Sequence, residues 1–324
     1  MKSKLQSQIV MQTDILELVL ASTDVEQNYF PYKKEEYVRH FLEMAIAQNL
    51  NSKSTLKNSA FEFLLNKPAF NRLTAKSGNA HFSKESLASV EEESLKYFKV
   101  TLDRWGEYEK HRNDDWYQTS LPGENLVLQL NFDFEHDLLY RKNFKVKKWH
   151  PFVSYCHPIS KKNNTMAWSR IDFNLDTGEA FIEEIQNDWL RDALSIHRKI
   201  KSTPEKKQKN HWITDYVSLE GLDRYITSLK EYNQYWSEAM LMCSIHFLLK
   251  EIGVDKIYYH TFESGNYFKK LEDCRPPKSL YTKLPQKFGF KKTQQFPLFW
   301  REEQFLKKRI RNFEGEVFCF DFRS

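Results

Sequence analysis

Glycine is scarce in this chain, at 9 of 324 residues. None of these glycines builds the Gly-rich cradle that holds phosphates in P-loop or dinucleotide-binding folds. Cysteine is equally sparse. Cys156, Cys243, Cys274 and Cys319 form no Cys-x-x-Cys pair, so they read as reduced thiols buried in the core. His150, Cys156 and His157 have no second cluster to complete a metal site, and ordinary strand and loop roles with no metal are expected. No stretch reaches the roughly 18 apolar residues of a membrane span, and residues 1–10 lack the apolar core of a signal peptide. A soluble, cytoplasmic protein without a membrane partner follows. A net charge of +5 is small for 324 residues and permits an acidic partner without demanding one. There is no internal repeat and no low-complexity tract.

Aromatic residues, by contrast, make up 15% of the chain, which is enough to build a large packed core. The most informative stretch runs Glu183-Glu184-Ile185-Gln186-Asn187-Asp188-Trp189. Strand alternation sets Ala180, Ile182, Glu184, Gln186 and Asp188 on one face and Phe181, Glu183, Ile185 and Asn187 on the other. A face that begins apolar and turns acidic points to a strand leaving the core for a cleft. Residues 166–175 alternate in the same way, and Asp176-Thr177-Gly178 supplies a turn, which predicts a hairpin. A three-residue loop pairs Leu175 with Glu179, Arg170 with Glu184, and Trp168 with Gln186. A four-residue loop would shift that register by one.

The apolar spacing predicts helices over 34–48, 60–65 and 84–108, hence a helical N-terminal subdomain over residues 1–120. Strands are expected over 126–134, 152–159, 166–175, 180–188, 254–262 and 316–322. An apolar helix is expected over 236–252, stopped by Gly253. Residues 191–231, with their Lys- and Arg-rich runs, read as a long basic insertion, a solvated loop or a lid over an acidic partner or nucleic acid. The fold class is α+β. A helical subdomain precedes a mixed, mainly antiparallel sheet flanked by helices over residues 121–324.

This order of strand, hairpin, buried helix, strand, short helix and two strands resembles the GNAT family of N-acetyltransferases. Phe288-Gly289-Phe290-Lys291 is similar to a motif that closes a helix in that family. The resemblance covers about half of the chain. It implies a catalytic edge on the strand 180–188 and an acyl-CoA pyrophosphate at the start of the following helix. There the nearest match to the family loop is Gln234-Tyr235-Trp236-Ser237-Glu238-Ala239, which makes Gln234, Ser237 and Ala239 the cofactor-binding candidates. Glu238 would sit beside the phosphate and argues for weak or no acetyl-CoA binding. The family's tyrosine would fall on Pro285, so Tyr281, one turn earlier, is the candidate acid. A narrower likeness joins Glu184-Ile185-Gln186-Asn187-Asp188-Trp189 and Trp236-Ser237-Glu238 to a block that resembles domains of phage and mobile-element multidomain proteins.

The expectation is therefore a transferase moving an acyl or related group onto an amine or nucleobase. Glu184 is the base, Arg170 holds it, and Asp188 relays a proton. Gln186, Trp189, Trp236 and Glu238 complete the substrate site, with Glu238 and Asp188 facing one cleft. The alternative is a non-catalytic nucleic-acid- or protein-binding module on a degenerate version of the same fold.

Overall fold

A computed structural model of the chain describes residues 15–21, 28–75, 81–88, 95–106, 118–145, 150–271 and 276–323. Eight strands, β1 (Tyr29–Tyr32), β2 (Lys96–Trp105), β3 (Asn125–Asn131), β4 (Thr165–Asn174), β5 (Glu179–Gln186), β6 (Lys256–Tyr259), β7 (Lys291–Thr293) and β8 (Val317–Asp321), form one sheet. Its order is β1-β2-β3-β4-β5-β6-β8-β7. Every neighbouring pair is antiparallel except β5 and β6, which run parallel from Glu179 opposite Lys256 to Ile182 opposite Tyr259.

The helices that matter to the site are α1 (Tyr37–Ala47), α2 (Phe134–Asn143), α3 (Trp189–Ser202), α4 (Leu219–Phe247), α5 (Phe262–Lys269), α6 (Lys283–Lys287), α7 (Leu298–Glu302) and α8 (Gln304–Arg311). The long helix α4 packs on the sheet face that carries Ser169, whose Oγ lies 2.9 Å from Ser244 Oγ. Ile171, Ile182 and Ile185 join the main core on that side. The opposite face, at β5, β6 and β8, buries Phe181, Tyr258 and Val317 against Phe268, Trp300 and Leu306 of α5, α7 and α8.

Several expectations change. Residues 96–105, expected to be helical, form β2, and β1 also comes from the N-terminal part. Phe98, Val100 and Leu102 alternate with period two, and this strand pattern overlaps the helical spacing that Phe98 and Leu102 also satisfy. The helix expected from residue 84 is Lys84–Ala88, and residues 89–94 lie outside the described ones. Rather than a wholly helical unit, the N-terminal part shares the sheet and the core cluster with the rest of the chain. Residues 152–159 are turns and irregular backbone, as Pro151 and Pro158 would favour by removing ladder donors.

The expected basic loop at 191–231 is mostly helix. Trp189, Leu190, Ala193 and Ile200 bury one side of α3, and α4 starts at Leu219 rather than near Trp236, with Ser218 Oγ accepting from Gly221 N. Leu222, Tyr225, Ile226, Leu229 and Tyr232 carry its apolar stripe back by four turns among charged residues. At the far end Gly253 (φ 79°) stops the helical path, as expected. Of the cysteines, Cys243 is buried but Cys156 is exposed; Cys274 lies outside the described residues. No helix among the described residues is long and apolar enough to cross a membrane.

Candidate active site

The hairpin reaches its expected register by a different route. Asn174 pairs with Glu179, so the loop has four residues, with Gly178 at φ 64°. That slip is cancelled further along. Ile171 faces Ile182 while Arg170 faces Glu184, so Glu183 is an extra, bulged residue. Past the bulge Arg170 again opposes Glu184, and Trp168 opposes Gln186.

The bulge also changes which side chains share a face. Ile182 and Ile185 both enter the main core, and so Glu183 and Glu184 both turn to the other side, with Phe181, Trp168, Arg170 and Asp172. Pairing of β5 with β6 ends at Ile182. The two carboxylates thus sit where these strands part.

Glu184 Oε2 is held by Arg170 Nη2 and lies 3.5 Å from Lys269 Nζ of α5. Arg170 also donates to the Gln118 carbonyl (3.1 Å), and Lys269 to the Glu183 carbonyl (3.2 Å). Glu183 Oε2 receives Ser120 Oγ at 2.9 Å and His260 Nε2 at 3.2 Å. Nδ1 of His260 lies 3.0 Å from Ser264 Oγ in the first turn of α5. Asn125 Nδ2 donates to Asp172 Oδ1 at 2.6 Å. All of these groups except the Gln118 carbonyl belong to buried residues.

Burial raises Asp172 well above the usual carboxylate range, reinforced by the charge of Glu183 and a hydrogen bond to it. Burial would also raise Glu183, but its bond to His260 and the Lys269 and Arg170 charges hold it low. Among the described residues no N–H or O–H donor reaches Glu183 Oε1 or Asp172 Oδ2, and the two neighbouring carboxyls are pushed in opposite directions, Asp172 up and Glu183 down. Glu184 too is lowered; burial opposes this, but Lys269 and Arg170 outweigh it. Lys269 is itself lowered, because burial and Arg170 penalise its charge more than Glu184 favours it. His260 is lowered by burial, against the Glu183 carboxylate, which favours its charge. Two carboxylates therefore face Arg170 and Lys269.

Tyr281 lies at this cluster, its ring centroid 5.6 Å from Lys269 Nζ. Burial, then the Glu184 charge, raises its phenol well above normal, which makes it a weak proton donor. A second cluster follows at the end of β5. Asp188 receives Trp168 Nε1 (2.9 Å), Gln186 Nε2 (2.6 Å) and Arg191 Nη2 (2.8 Å), and its Oδ2 lies 2.8 Å from His157 Nδ1.

The remaining expected residues lie elsewhere. Trp189 is buried in an aromatic core, its Nε1 donating to Tyr225 OH at 2.6 Å. Trp236 packs, partly buried, against the main core. Glu238 pairs with Lys287 of α6 at 2.6 Å, on the α4 side of the sheet; Asp188 bonds Trp168 on the opposite face, so the two carboxylates share no cleft. Gln234, Ser237 and Ala239 are interior to α4, where each N–H is spent on the carbonyl four residues back. The helix starts at Leu219, so none of the three stands at a helix N-terminus with an open N–H. These residues do not fit a pyrophosphate.

Sequence reasoning missed Asp172, Glu183, His260 and Lys269 as members of one cluster. Asp172 shares the alternation of Trp168 and Arg170, which was a usable signal; Lys269, beside Lys270, gave none. Among the described residues no group of three or more His, Cys, Asp and Glu side chains is placed to hold a metal ion. The chain matches no family model, no curated protein and no solved structure.

Proposed function

We propose that the chain is a group-transfer enzyme, moving an acyl or related group onto an amine or a nucleobase, with the β5–β6 wedge as its reaction centre. The observation that carries this reading is the buried Asp172–Glu183 pair, placed together by the bulge beside Arg170 and Lys269, with Asp172 pushed up and Glu183 held low. Pairs of acids pushed apart in this way mark acid–base assignments. Asp172 is the proton donor to a leaving group, and Arg170 and Lys269 stabilise a developing oxyanion. Glu184 stays ionised and fixes both cations. The acetyltransferase-like resemblance rests on the order of elements after residue 150; its first strand is missing at residues 152–159, but the hairpin β4–β5, the buried helix α4, β6 and the short helix α5 follow in that order and support the same class. No step is assigned to acyl-CoA, because Gln234, Ser237 and Ala239 do not offer it free donors.

A second reading, a non-catalytic nucleic-acid- or protein-binding module, is favoured by the uninterrupted course of α4 through that stretch. One assay separates the two. The protein is incubated with acetyl-CoA or acetyl phosphate and with polyamines or nucleosides, and products are followed by mass spectrometry. Acylated product from the wild type, lost in a folded Asp172→Asn variant, is the expected result. No product in any combination, together with tight oligonucleotide binding, would replace the enzyme by the binding module.

A further inference from the structure

We propose that His157, aligned by Asp188, is a catalytic base that removes a proton from an amine or hydroxyl nucleophile at the end of β5. The inference deepens the transfer reading and rests on it for its chemical role. Asp188 occupies the N-cap position of α3, yet its side chain caps nothing; Asn187 Oδ1 takes the Leu190 N–H at 2.8 Å instead. The carboxylate is thereby released for side-chain partners. Trp168, Gln186 and Arg191 supply three of them and leave Asp188 buried and fixed. The fourth is His157, whose side chain is 31% exposed while that of Asp188 is 3% exposed.

A buried, immobile carboxylate bonded to Nδ1 decides the tautomer. Gln186 Nε2 also lies 3.2 Å from Nδ1 but donates to Asp188 Oδ1 at 2.6 Å; with the shorter 2.8 Å contact to the carboxylate taking the Nδ1 proton, the lone pair remains on Nε2. When a nucleophile X–H approaches, the proton passes from X to Nε2, the X electron pair attacks, and Asp188 stays ionised and steadies the imidazolium. Arg191 and Gln186 hold Asp188 without offering it a proton it would keep. The dyad lies on the wedge face, because Trp168 and Gln186 stand two strand positions from Arg170 and Glu184, about 7 Å along the strands. The Trp168 ring spans that gap, its centroid 5.7 Å from the His157 ring and 6.0 Å from the Arg170 guanidinium.

His197 offers an internal contrast. It also meets an aspartate, Asp223 at 2.7 Å, but through Nε2, and Asp223 is 44% exposed and shared with Lys201. That pair is a surface contact with no free Nε2.

Diethyl pyrocarbonate tests the assignment without a known substrate, because Nε2 attacks its carbonyl carbon and ethyl carbonate leaves. Peptide mass spectrometry should show His157 modified about tenfold faster than exposed His81 in the wild type. Asp188→Asn should remove most of that advantage and leave His81 unchanged, a loss of the size expected for an orienting partner. If Asp188→Asn does not fold, the wild-type ranking alone decides. Modification of His157 no faster than His81 would overturn the proposal. A fast His157 in a protein with no transfer activity would keep the dyad and remove the transfer reading; a slow His157 in an active protein would remove the dyad alone.

Discussion

Glu184 and Asp188 are both buried carboxylates near the end of one strand, yet their surroundings differ in kind. Glu184 is bound by Arg170 and Lys269, two cations set in the low-dielectric wedge. Asp188 is bound by the Trp168 indole, the Gln186 amide and the exposed Arg191 guanidinium, with a part-exposed imidazole as its fourth partner. The first arrangement fixes charge; the second, in the proposed mechanism, aligns an imidazole. Residue type and spacing alone treat the two as equivalent; what separates them is which donors the fold brings to each.

The sharpest way to break this contrast is to neutralise each carboxylate. Glu184→Gln leaves Arg170 and Lys269 buried without their shared anion, and should cost about 3–5 kcal/mol in urea unfolding. Asp188→Asn keeps one of the two acceptor oxygens and should cost about 1–2 kcal/mol. Equal losses would erase the distinction.

The pH dependence of stability sharpens the picture. Burial lowers His136, His246 and His260, and lowers His40 to about 4. Glu184 and Asp188 are held low by their donors against burial. In each case the unfolded chain binds the proton more readily, so stability rises with pH. It is complete above the ordinary histidine range, near pH 6.5, declines as pH falls below it, and declines further below about pH 4 as the carboxylates titrate. Asp172 is raised and works in the opposite sense, favouring the folded state in acid. The urea midpoint should therefore fall from neutral pH toward pH 3, and fall more steeply in Asp172→Asn. A flat profile would contradict the assigned protonation states.

The smallest effect is expected across the sheet. Glu238→Gln loosens a pair whose Lys287 side chain is 33% exposed, and should cost about 1 kcal/mol or less with no change in His157 reactivity.

The elements legible in the sequence were those with one clear period. Both arms of the β4–β5 hairpin, the strands at 256–259 and 317–321, and the stop at Gly253 were readable from alternation and turn chemistry. The pairing of Arg170 with Glu184 was also read, although a four-residue loop and a bulge at Glu183 offset each other to produce it. A bulge leaves no mark in a pattern of period two until its partner strand is known. The start of α4 was hidden because its first turns alternate Tyr, Leu and Ile with Lys, Asp and Glu, which reads as a polar linker until a core is present to bury one side. Lys269 is the extreme case: half of a Lys-Lys pair, it becomes a buried cation only because α5 turns its side chain into the wedge.

If the wedge keeps its charges for chemistry rather than for stability, removing them together should not weaken the fold. The direct measurement is urea unfolding of one variant that removes all four charges together, Arg170→Met, Glu183→Gln, Glu184→Leu and Lys269→Met. Buried ion clusters replaced as a whole by apolar or neutral groups of similar size are often neutral or stabilising by about 1–4 kcal/mol, and sites held for function commonly gain stability when their function is removed. The account predicts a variant at least as stable as the wild type, despite the large loss expected from Glu184→Gln alone. A loss of about 3 kcal/mol or more in the fourfold variant would contradict it and make the cluster a structural ion network.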